Sequence, residues 1–133
     1  MTKPQKKQLV INESMRYIDN ALETLKTKAK PVGDFYEDPK YVKAAGHYAY
    51  HAVLHALDEA KLLKLKKGQR ADVRDYKEAL AKENRKMLHY FNECYEIFHL
   101  KLGYDGVASK RTLPVYIGYA KQLIQWAATK AAA

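Results

Sequence analysis

The segment Ala44–Leu57, AAGHYAYHAVLHAL, runs for fourteen residues without a formal charge, in a chain where 29% of residues are charged. Alanine recurs at 45, 49, 52, 56 and 60, the repeat of one helical face. A helix this free of charge is surrounded on several sides, or meets another chain across its second face. It therefore reads either as the central helix of a bundle or as one whose second face meets another chain. His47, His51 and His55 follow at every fourth residue, with Tyr48 and Tyr50 between them.

The flanking segments supply the rest of a bundle. Ile11, Met15, Ile18, Leu22 and Leu25 make an amphipathic stripe, predicting a first helix over about 6–28 that Pro31 and Gly33 stop. Lys30–Asp38 reads as a loop whose Phe35 and Tyr36 pack down. Asp38 caps the second helix and Pro39 occupies its first turn, and the pattern continues to about Leu65, before Gly68. A short helix follows from Asp72 to about Ala81, then a longer one from about Asn84 to Leu102 with the stripe Met87, Phe91, Cys94, Phe98. The last begins between Ser109 and Pro114 and reaches about Lys130. The expected fold is all-α: an up-and-down bundle of four long helices and one short one, with residues 1–133 as a single domain. No β-alternating segment is visible.

Composition narrows the function classes. No apolar run is long enough to cross a bilayer, so no membrane is expected, and the basic N-terminus lacks the apolar stretch of a secretory signal. The single cysteine, Cys94, fits a reducing cytoplasm and, lying on an apolar stripe, reads as a small buried hydrophobe. The net charge of +9 permits an acidic partner without requiring one. Gly-rich phosphate loops, GxSxG elbows and paired zinc cysteines are missing from the sequence.

Three spacings bear on chemistry. Adjacent members of the histidine ladder lie on one helix face and can share a metal only if other helices add ligands. The one Glu-x-x-His pair, Glu96 with His99, occurs once rather than twice. The ladder therefore reads as packed, hydrogen-bonded imidazoles, with no metal and no cofactor, and His55→Ala is expected to cost ~1–3 kcal/mol of stability. Lys61, Lys64, Lys66, Lys67, Arg70 and Arg74 suit either phosphates or the negative end of a helix dipole. His99, Lys101, Tyr104, Asp105, Lys110 and Arg111 gather titratable groups around the turn GYDG, a common setting for function and for ordinary helix caps.

AGHYAYHAVLHALDEA, residues 45–60, resembles the second helix of HEPN (higher-eukaryote-and-prokaryote nucleotide-binding) domains, with Ala49-Tyr50 and Leu54-His55-Ala56 in the matching places. RYIDNALETLKTKAK is similar to that family's opening helix, and LHYFNECYEIFHLKLGYDG with YIGYAKQLIQWA to its closing pair. The likeness extends to a small set of bacterial HEPN-like domains of uncharacterised function. Active HEPN members are metal-independent ribonucleases that carry an arginine and then a histidine with four to six residues between them, usually acting across a dimer. Here Arg85 and His89 are separated by only three residues, and Arg111 reaches a tyrosine, Tyr116.

The resemblance thus implies a catalytically degenerate, cytoplasmic, homodimeric module that binds RNA, a nucleotide or a protein partner. Lys101, Asp105, Arg111, His51 and His55 are the candidate ligand-binding residues. The alternatives are a ribonuclease with an altered pair, His99 and Tyr104, and a purely structural partner of a nucleotidyltransferase in a toxin–antitoxin-like pair.

Overall fold

A computed structural model describes residues 1–133. Helix α1 spans Lys3–Thr27. It starts ahead of the expected boundary because Thr2 and Gln5 cap it reciprocally: Thr2 Oγ1 accepts from the Gln5 N–H at 3.2 Å, and Gln5 Oε1 accepts from the Thr2 N–H at 2.8 Å. The following loop corrects one expectation. It contains a minimal antiparallel hairpin, β1 (Pro31–Val32) and β2 (Phe35–Tyr36), turning at Gly33 with φ +58°. Two residues per strand are too few for any alternation to show.

Helix α2 (Pro39–Glu59) begins where expected, with the Asp38 carboxylate accepting from the Lys40 N–H. It ends six residues short of Leu65. The Lys61 N–H donates to the Asp58 carbonyl and the Leu62 N–H to the Leu57 carbonyl, while Lys61 takes φ +54°. This paired closure ends helices on a left-handed residue, usually glycine; here lysine fills that place. Helix α3 (Val73–Glu83) carries an Asp72–Asp75 capping box. Asn84, in extended backbone, breaks the chain cleanly and caps α4 (Arg85–Cys94).

α4 does not continue as an α-helix. From Tyr95 to Tyr104 it widens into a π-helix. Helix α5 (Leu113–Ala131) completes an all-α bundle of four long helical rods and one short one.

The interior is one contiguous apolar cluster in which Phe91, Phe98, Ile18, Leu57, Leu80 and Leu123 are the large, fully buried members. Each such side chain contributes roughly 1.5–3 kcal/mol on burial. Helix α2 runs through the middle, touching α1, the π segment and α5. Its contact with the π segment is backbone against backbone. A Cβ on Gly46 would lie 2.5 Å from the Gly103 nitrogen and 2.6 Å from the Phe98 carbonyl oxygen, so only glycine permits the approach. Cys94 is buried, as its stripe position implies; burial raises its thiol pKa, and the thiol points at the Tyr116 carbonyl.

Candidate functional site

The two faces of α2 part company at the histidines. Val42, Ala45, Gly46, Ala49, Ala52, Val53, Ala56 and Leu57 are buried. His47, Tyr48 and His51 are exposed, and Tyr50, Leu54 and His55 are half-buried. The expectation of packed imidazoles is therefore corrected: the alanines are enclosed, and the histidine ladder looks outward. Small side chains let the neighbouring helices close on one side of α2. The rings project from the side those helices leave open.

Along one edge of this strip stands α1. The Tyr17 ring meets His51 edge-on at 4.5 Å and lies 6.0 Å from His55. His55 Nε2 pairs with Glu13 Oε2 at 3.0 Å, and Lys6 Nζ with Glu59 Oε2 at 3.1 Å. Glu13, Arg16, Tyr17, Asn20 and His55 line a polar cleft of about 290 Å³.

Along the other edge stand α3, α4 and the π segment. Tyr50 lies 4.8 Å from His99 and 5.9 Å from Tyr95, and the Tyr95 and His99 rings are near-parallel at 5.1 Å. Lys77 Nζ sits 4.8 Å from the Tyr95 ring centroid, a cation–π contact. Burial, then the neighbouring Tyr95, raises the Tyr50 phenol pKa; burial, then the charge of His47, lowers the His99 imidazole pKa. His99 Nδ1 is buried among these rings without a hydrogen-bond partner. Two aromatic–imidazole clusters thus flank an uncharged helix face, giving flat π-surfaces suited to stacking.

The residues expected around the GYDG turn are not brought together. His99 turns toward α2. Lys101 lines a different cleft, of about 240 Å³, with Phe35, Ile97 and Val107. Tyr104 is 77% exposed at the end of the π segment, and Asp105 is exposed beyond it. The Arg111 backbone N–H donates to Asp34 Oδ1 at 2.9 Å, and the Ser109 hydroxyl to Asp34 Oδ2 at 2.6 Å. These two bonds, the Ser109 bond first, hold the Asp34 carboxyl pKa below its ordinary value and tie the hairpin to the final turn. His51 and His55, by contrast, do share a surface. Its other members, Glu13, Tyr17, Glu59 and Tyr95, escape a reading based on single-helix spacing. The visible signal was the four-residue interval from Glu13 to Tyr17, at the edge of the α1 stripe.

Comparison with known proteins agrees with this fold and assigns it no activity. Residues 10–129 match the family model described as Domain of unknown function (DUF5618). The chain belongs to that family. A solved structure, a protein of unknown function from Dyadobacter fermentans, is similar at 39% identity and a TM-score of 0.84, covering 91% of this chain and 95% of that one. No curated protein matches.

Proposed function

We propose that this DUF5618 chain is a non-catalytic binding module whose outward α2 strip stacks against the bases of single-stranded RNA or of a nucleotide. One observation carries the reading: the Tyr17–His51 pair and the Tyr50–Tyr95–His99 cluster, with rings 4.5–5.9 Å apart within each group, flank the two edges of an uncharged helix face. Base stacking on such rings is worth about 1–3 kcal/mol per base. Lys77 and Arg16 at the edges, and a net charge of +9, suit a phosphate backbone. The HEPN likeness of the alanine-rich α2 and of the closing helices supports the same reading. So does the departure from the arginine–histidine spacing of active HEPN members. A buried, reduced Cys94 suits a cytoplasmic setting. No helix is long and apolar enough to cross a membrane.

Fluorescence anisotropy with an unstructured RNA oligonucleotide tests this. Binding should weaken log-linearly between about 50 and 200 mM salt, and weaken further in His51→Ala and Tyr48→Ala, whose exposed positions spare the fold. Absence of binding at low salt removes the RNA reading. RNA cut by the chain in EDTA would instead favour the ribonuclease alternative built on His99 and Tyr104.

A homodimer is part of the proposal, through a different surface. Phe35 and Val107, 54% and 50% exposed, flank the apolar cleft at the hairpin end of the bundle. Apolar side chains left open around one cleft fit a self-association surface. Equilibrium sedimentation giving a monomer at micromolar concentration rejects it. A nucleotidyltransferase partner rests on the HEPN likeness alone.

A further inference from the structure

We propose that Glu13, His55 and Glu59 form a binding site for a zinc-class divalent cation. The histidine ladder by itself cannot close a metal site, because one helix supplies too few ligands. The fold supplies the missing one. Glu13 comes from α1, and His55 and Glu59 stand four residues apart on α2. One donor atom from each lies within 4.8 Å of the others.

The donor chemistry selects the ion. One imidazole nitrogen with two carboxylate oxygens suits zinc and its first-row neighbours; magnesium and calcium take oxygen-only shells. Zinc bonds of about 2.0–2.2 Å place tetrahedral ligand atoms ~3.3 Å apart. His55 Nε2 already stands 3.0 Å from Glu13 Oε2, and the three donor atoms lie within 4.8 Å of one another, so bringing them to zinc spacing takes a movement of about 1.5 Å. Three protein ligands leave a fourth position for water, and the cleft beside His55 has the room and the polar walls for it.

The local cations define what the ion must displace. Lys6 Nζ occupies Glu59 Oε2 at 3.1 Å, and Arg16 lines the same cleft. Lys6 is 37% exposed at its side chain, so it leaves for water at little cost. An exposed pair of this kind shifts an equilibrium by about fivefold at most.

Isothermal titration calorimetry of the untagged, EDTA-stripped chain with zinc chloride tests the site. The expected result is one ion per chain. Outer-shell partners alone are worth roughly ten- to hundredfold in metal affinity, so His55→Ala and Glu13→Gln should each weaken binding by at least about tenfold. Lys6→Ala should tighten it up to about fivefold, a gain that damage to the fold would not produce. His47→Ala should leave it unchanged. Circular dichroism confirms that each variant keeps its helices. Three results overturn the proposal: no heat of binding in the parent chain, equal affinity in Glu13→Gln, or loss of binding in His47→Ala with Glu13→Gln unaffected. The last would place the ion on the ladder instead.

Discussion

The enclosed and open faces of α2 share one backbone and follow opposite rules. On the enclosed face, alanines let three helical rods close on α2, and at Gly46 the main chain of the π segment stands where a Cβ would be. On the open face, imidazole and phenol rings meet partners at ring-contact distances of 4.5 Å or more, and each edge keeps access to water. Tight packing and chemical versatility are thus separated by half a turn of helix. The enclosed face determines stability, and the open face is free to carry function.

The largest expected effect is on the enclosed face. Gly46→Ala drives a methyl into the Gly103 nitrogen and the Phe98 carbonyl, main-chain atoms with no freedom to yield. It should cost about 3 kcal/mol or more, read as a fall in the urea midpoint; an unchanged midpoint would break the contrast at its root. On the open face, His55→Ala should cost less than about 1 kcal/mol, since its bond to Glu13 is partly exposed to water. That revises the larger loss implied by a fully packed ring.

The smallest effect sharpens the boundary between the faces. His99 has a buried, unpartnered Nδ1, and burial lowers its pKa relative to the unfolded chain. The unfolded chain then binds this proton at higher pH than the folded one. The stability linked to His99 is fully present above the unfolded imidazole pKa and is lost as pH falls through the depressed folded value. The urea midpoint should drop between neutral and mildly acidic pH by more in the parent chain than in His99→Gln. Equal drops in the two would show that His99 gains no pH-linked stability from its place between the faces.

Much of this was legible in the sequence. Alanine spacing in α2, the apolar stripes of α1 and α5, and the caps at Asp38 and Asp72 are local signals, and local signals sufficed for the all-α bundle. The orientation of α2 was not local. The ladder and the alanines plainly lie on different faces, but the missing charges made both faces read as interior. Only the reach of α1 and of the π segment decides which face is covered. The π segment itself was invisible, because Phe91, Cys94, Phe98 and Leu102 fit an ordinary α stripe. What favours the wider turn is the close approach of Gly46 and Gly103, a contact more than fifty residues apart in sequence. The grouping at the GYDG turn failed for a related reason. Neighbours in sequence there diverge, with His99 facing α2 while Lys101 faces the hairpin end.

The widened stretch from Tyr95 to Tyr104 also bears on how the family can vary. Each of its hydrogen bonds spans one residue more than in an α-helix, as in the bond from the Asp105 N–H back to the Leu100 carbonyl at 2.9 Å. A relative one residue shorter here can take up the slack by winding to α pitch, leaving both ends of the rod anchored. The shortening would swing the His99 side chain around the axis and away from Tyr50. In an alignment, a single-residue gap in this stretch would therefore mark a rearranged ring cluster within an unchanged fold.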